Sequence, residues 1–236
     1  MKKFAVFDID GTIFRFALFH SIVDQLVLDG FFSEKTANKI EQGRKSWRTR
    51  SHPEAFWDYV ETSVDAYFKS IKDLTQKQFK KVVDEVFDRE KDHVYVYTRE
   101  LIKDFKQKSY TVIAISGSQM EIVEKFARYY GFDKWVGNEY EVKNGHFTGN
   151  ISGSHKDKHH IIKQLITEHD LDIKDSYGVG DTDRDITMLE SVANPIAFNP
   201  NQQLFDHAKK NGWKIVVERK NVIYELGQKG ESYILA

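Results

Sequence analysis

The 236-residue chain contains no cysteine and only three prolines, and its Lys plus Arg (35) nearly cancel its Asp plus Glu (36). Without cysteine there is no disulfide framework, thiol nucleophile or thiolate metal site, so any metal must be held by oxygen or imidazole. The balanced charge creates no global field to gather nucleic acid or an anionic membrane surface, and neither is expected as a partner. No apolar run approaches a membrane span. The apolar stretch after Met1-Lys2-Lys3 reaches Asp8 after four residues, far short of a signal peptide's apolar region, so a cytoplasmic location is the expectation. With little proline and no low-complexity linker or repeat, domain boundaries show only as changes of pattern.

The most informative segment is Phe4-Ala5-Val6-Phe7-Asp8-Ile9-Asp10-Gly11-Thr12. Its bulky apolar start reads as a buried parallel strand. Asp8 and Asp10 then fall on one face at the strand's carboxyl end, where open α/β sheets place their ligands. Two carboxylates crowded there repel, and a divalent cation or a shared proton relieves them. A simple Asp-Gly turn would explain Asp10 and Gly11 but gives no reason for Asp8 inside the apolar run.

Residues 17–90 are helical in period. Leu18, Ile22, Leu26 and Val27 share a face, Ser33 caps a second helix, Pro53 suits the first turn of a third, and Thr75-x-x-Gln78 forms a capping box for a fourth. A helix around Arg99 to Gln107 follows, and a strand at Tyr110 to Ser116. Ser118-Gln119-Met120-Glu121 then reads as a capping box, with Ser118 as the cap. Ser116 and Gly117 lie just before that helix, where free N–H groups and the dipole favour an anion. Asn144-Gly145 marks a hairpin turn within Glu139 to Thr148. Beyond it come a helix over Asp157 to His169, a strand Ser176 to Gly180, a helix through Met188 and Leu189, and strands Pro195 to Phe198 and Lys214 to Val217. Alternating strands and helices predict a doubly wound parallel sheet, a Rossmann-like core of residues 1–16 and 91–236, with residues 17–90 as an inserted all-helical cap.

In order along the chain stand Asp8-x-Asp10-Gly11-Thr12, a strand ending in Ser116, Lys158 at a helix start, and Gly180-Asp181-Thr182-Asp183-Arg184-Asp185 after a strand. Together these resemble the haloacid dehalogenase superfamily, in its helical-cap, phosphoserine-phosphatase-like branch, over nearly the whole chain. The resemblance implies a phosphatase in which Asp8 is the nucleophile, forming an aspartyl-phosphate, and Asp10 the general acid and base. It assigns Thr12, Ser116, Gly117 and Lys158 to the phosphate. Mg²⁺ would be held by Asp8, Asp181 and the Asp10 backbone carbonyl, with Asp185 in support. Lys156, two residues before Lys158, is the alternative lysine.

Other readings of the same residues fit less well. A calcium loop starting at Asp181 would need glycine where Ile186 stands and glutamate where Val192 stands. His155, His159 and His160 have no companion cysteine and, with the helix expected from Asp157, no His-x-x-x-His pair on one helical face, and read as helix-surface residues. Asp183 reads as a helix-start charge. In the helical block, Arg44, Lys45, Trp47, Arg48 and Arg50 precede Phe56, Trp57 and Tyr59; solvated charges and packed aromatics are the plain reading. Phosphoserine phosphatases carry a Glu after the first motif to bind the substrate's amino group, and the corresponding residue here is Ala17. The expectation is therefore hydrolysis of a small phosphorylated metabolite other than phosphoserine. Phosphoserine phosphatase proper, a phosphotransferase or mutase, and a silent metal- or phosphate-binding module are the rivals.

Overall fold

The computed structural model describes residues 1–153, 158–230 and 232–235. It divides into two compact units, Met1–Ala17 with Lys91–Asn138 and Gly153–Ala236, and Leu18–Glu90 with Glu139–Ser152. The expectation grouped residues 139–152 with the catalytic core, whereas they cluster with the helical residues.

The first unit is built on β1 (Lys2–Phe7). Phe4, Ala5, Val6 and Phe7 are fully buried because helices cover both faces of the sheet. On one face Phe4 and Val6 join Ile113, Ile115, Ile162, Met188 and Leu189; on the other, Phe7 meets Phe105 and Phe132 edge-on at about 6 Å between ring centres.

The chain leaves this unit after Ala17 and forms α1 (Leu18–Leu28), α2 (Glu34–Arg48), α3 (Ala55–Ser70) and α4 (Gln76–Glu90). It then re-enters the first unit, where α5 (Val96–Gln107), β2 (Thr111–Gln119) and α6 (Met120–Tyr130) follow. Strand β3 (Lys134–Lys143) begins beside β2 and continues into the second unit, turning at Asn144-Gly145 into β4 (His146–Gly153). Both turn residues have positive φ, 52° and 79°, as a type I′ turn requires. The remaining elements are α7 (Lys158–His169), β5 (Leu171–Gly180), the one-turn helix α8 (Ile186–Leu189), β6 (Asn194–Phe198), α9 (Gln202–Lys210), β7 (Lys214–Arg219), β8 (Val222–Lys229) and β9 (Ser232–Leu235).

In the first unit the strand order is β3-β2-β1-β5-β6-β7-β8-β9. Pairing is parallel from β3 to β7, and β8 and β9 add an antiparallel edge. That edge and α9 have no counterpart in the sequence expectation; in β8, Val222 to Tyr224 are exposed and show no one-sided burial pattern, whereas α9 is capped by Asn201 and buries Leu204 and Ala208, four residues apart. Strand β1 lies between β2 and β5, so chain connections leave it in opposite directions and open a crevice at the strands' carboxyl ends.

In the second unit Ser33 caps α2, accepting from Thr36 N–H, and Thr75 and Gln78 form the reciprocal box that starts α4. Helices α2 and α3 pack closely where Gly43 faces Tyr59. Trp47 stacks on Tyr59 with ring centres 5.4 Å apart and planes 5° apart, and His20 stacks on Tyr59 at 4.6 Å. Arg44 pairs with Asp24 and Glu41. The basic and aromatic run therefore contributes to packing within this unit. No helix among the described residues is long and apolar enough to cross a membrane.

Candidate active site

The loop after β1 is set by its backbone. Ile9 C=O accepts from the N–H groups of Thr12, Ile13 and Phe14, and Gly11 adopts φ +86°. A side chain at Gly11 would collide with the Asp181 carboxylate, so glycine serves both the turn and the close approach. The Thr98 hydroxyl donates to Thr12 C=O at 2.9 Å and ties the loop to α5.

Asp8 is 5% exposed. Lys158 Nζ, at the first residue of α7, donates to Asp8 Oδ1 at 2.5 Å and to Asp185 Oδ1 at 2.6 Å. Asp185 Oδ2 in turn accepts from the backbone N–H groups of Asp181 and Thr182, both at 3.0 Å, and from the Thr182 hydroxyl. Asp185 thus ends β5's loop and holds the lysine. Asp183 accepts from Asn201 Nδ2 at 2.7 Å and lies outside the acidic cluster. The alternative lysine, Lys156, and His155 lie outside the described residues.

Carboxylate oxygens of Asp8, Asp181 and Asp185 come within 4.8 Å of one another. Burial pushes the Asp8 carboxyl up to about 8, with Lys158 opposing and the Asp185 and Asp10 charges adding to the rise. Burial also drives Asp181 well above the usual carboxylate range, helped by Asp8 and Asp185. For Lys158 burial works against the ammonium, but Asp185 and Asp8 outweigh it and hold the charge. Clustered carboxyls raised in this way are poised for a cation that compensates their charge. Asp8 Oδ2 is buried and has no hydrogen-bond partner among the described residues, and the Asp181 carboxylate receives Thr12 Oγ1 at 3.2 Å. This all-oxygen donor set fits a hard divalent ion. The Asp10 side chain is not part of the cluster.

Asp10 turns instead toward β2. Its Oδ2 accepts from Ser116 Oγ at 2.6 Å and from Ser118 Oγ at 2.9 Å. Ser118 was expected to cap α6; the cap position is Gln119, and the Ser118 hydroxyl is spent on Asp10. The reason is that β2 continues through Gln119, so residues two apart, Ser116 and Ser118, face the same side. The capping-box pattern hid that alternation. Gly117 sits between them with its C=O accepting from Asn138 Nδ2 at 2.6 Å. A second group that sequence alone did not single out is Glu218, which receives Arg15 at 2.8 Å and the first N–H groups of α5; its partners lie far apart in sequence.

Fold and cluster define an α/β protein with an acidic, lysine-bearing crevice, and sequence comparison sharpens this. Residues 5–190 match the haloacid dehalogenase-like hydrolase family, and the chain belongs to it. It is 24% identical over 212 residues to a phosphoserine phosphatase of Archaeoglobus fulgidus, covering 88% of this chain and 55% of that protein. It is 25% identical over 232 residues to a histidinol-phosphatase of Neisseria meningitidis, covering 92% of this chain and 99% of that one. The chain thus spans about half the length of the archaeal relative and nearly all of the bacterial one. Its fold matches that of a phosphoserine phosphatase solved as a phospho-aspartyl intermediate analogue, with TM-score 0.62 at 22% identity over 93% of this chain and 94% of that one.

Proposed function

We propose that this protein is a Mg²⁺-dependent phosphomonoesterase that hydrolyses a small phosphorylated metabolite through an aspartyl-phosphate on Asp8. The observation that carries the reading is the environment of Asp8. One carboxylate oxygen is held by Lys158, the other is buried without a hydrogen-bond partner among the described residues, and Asp181 stands alongside. Asp8 and Asp181, with the Asp10 backbone carbonyl, would hold the cation. When bound it supplies neutralisation of charge on the phosphoryl oxygens.

The residues then divide the chemistry. Asp8 attacks phosphorus; the new O–P bond forms as the bond to the leaving oxygen breaks, and Asp10 delivers a proton to that oxygen. Water next attacks the same phosphorus, Asp10 takes its proton, and the Asp8 carboxylate is released with inorganic phosphate. Lys158, anchored by Asp185, offsets charge beside the nucleophile. Thr12, Ser116 and the Gly117 backbone are assigned to the phosphoryl oxygens. Relatives at similar identity are named for phosphoserine and for histidinol phosphate, and this supports the reaction class without choosing the substrate.

The test is turnover of p-nitrophenyl phosphate with Mg²⁺ and after chelation. Metal-dependent release of phosphate supports the reading. Metal binding without turnover would support a silent module, and p-nitrophenol released in excess of phosphate, in the presence of an alcohol, would support a transferase.

A further inference from the structure

We propose that Ser118 is a positioning residue for Asp10, holding its carboxyl group in the orientation that delivers a proton to the leaving oxygen. The inference rests on the acid role given to Asp10 above. Ser118 is 1% exposed, and its Oγ lies 2.9 Å from Asp10 Oδ2. Ser116 Oγ reaches the same oxygen at 2.6 Å while accepting the Ser118 backbone N–H at 2.9 Å.

These two hydroxyls do not have equivalent tasks. A serine hydroxyl has one proton to donate. If Ser116 turns that proton to a phosphoryl oxygen, it can no longer donate to Asp10. Ser118 is not among the groups assigned to the phosphoryl oxygens, so its bond to Asp10 stays in place when substrate arrives. Its position is firm, because Asn138 Nδ2 holds the Gly117 carbonyl at 2.6 Å and β2 runs on through Gln119. With Oδ2 committed as an acceptor, the proton for the leaving group is carried on Oδ1. Ser118 therefore fixes which oxygen does the acid's work.

The experiment compares Ser118→Ala and Ser118→Cys with wild type, using an alkyl phosphate and p-nitrophenyl phosphate in the Mg²⁺-loaded protein. Cysteine refills the space but is a weak donor. The quantity read is kcat/KM, which reports events up to formation of the phospho-enzyme when that step is irreversible. Both variants are expected to lose about ten-fold or more on the alkyl ester and much less on the aryl ester, whose leaving group needs no proton, on the scale of one charge-assisted hydrogen bond. Inhibition by inorganic phosphate should be unchanged. Equal losses on both esters, or full recovery with Ser118→Cys, would overturn the proposal by showing a packing role. Asp10→Asn, measured on the same two esters, separates the premises: if it shows no leaving-group dependence, the acid assignment fails and this inference falls with it. If it does while Ser118→Ala does not, only Ser118 is misassigned. Where the alanine variant does not fold, the cysteine variant answers the same question.

Discussion

Lys158 and Asp8, 150 positions apart in the chain, are joined by a 2.5 Å contact between ammonium and carboxylate, with both side chains almost wholly buried. Removing one partner of a buried pair leaves the other uncompensated, at a cost of about 3–5 kcal/mol. Lys158→Met should therefore melt well below wild type in metal-free buffer, since Asp8 and Asp185 are both left facing each other. Added Mg²⁺ should recover part of the loss, and turnover should stay at least about a hundred-fold down. A melting curve insensitive to both substitution and Mg²⁺ would refute the arrangement.

Asp8→Asn keeps the shape of the proposed nucleophile and removes its charge. Lys158 retains Asp185, so the fold should be preserved and melt within about 5 °C of wild type. Turnover should fall by orders of magnitude. Retention of more than about a tenth of the rate by protein shown to be free of deamidation would exclude attack by Asp8.

Asp10 and Asp181 should fail in different ways. Only Asp181 brings its side chain into the acidic cluster, so Asp181→Ala should weaken Mg²⁺ binding in calorimetric titration, whereas Asp10→Asn should bind the ion and lose proton transfer. The reverse order of Mg²⁺ affinities would exchange the two assignments.

The helical unit should carry a pH dependence of its own. Burial, aided by the Arg44 charge, lowers His20 from its ordinary 6.5 to about 4. The folded form therefore excludes a proton that the unfolded chain accepts. Stability from this group is complete above about pH 6.5 and falls as pH drops toward 4, by roughly 3 kcal/mol in all. Hydrogen exchange of α1 and α3 amides at pH 7 and pH 4.5 should show this loss in wild type and less of it in His20→Phe, which keeps the stack on Tyr59. Identical pH dependence in the two proteins would rule out His20 as the source.

Phosphoserine should not be the best substrate. Ala17 offers no carboxylate to an ammonium group, and a buried ammonium without one costs several kcal/mol. Asp24, one acid of the helical unit that could substitute, is committed to Arg44. The check is kcat/KM for phosphoserine beside sugar phosphates, phosphoglycolate-like acids and nucleotides. A lead of about ten-fold for phosphoserine, or 1.4 kcal/mol in barrier, would show that another residue reads the amino group.

The sequence by itself determined what short-range physics can carry. An apolar run ending in Asp8 had to be a buried strand with its acids at one end, Asn144-Gly145 had to turn, and Ser33 and Thr75 had to start helices, since each rule links residues a few positions apart. The spaced motifs also marked Asp8, Asp181 and Lys158. Tertiary structure decided which groups meet: Lys158 bonded to both Asp8 and Asp185, two serines of β2 on one oxygen of Asp10, and Glu218 at the start of α5. It also grouped the hairpin residues 139–152 with the helices. Such pairings depend on the order of strands in the sheet and on where a strand stops. Ser118 shows this well: four residues of sequence favour a helix cap, and three more residues of β-strand turn the same hydroxyl into a partner of the Asp10 carboxylate.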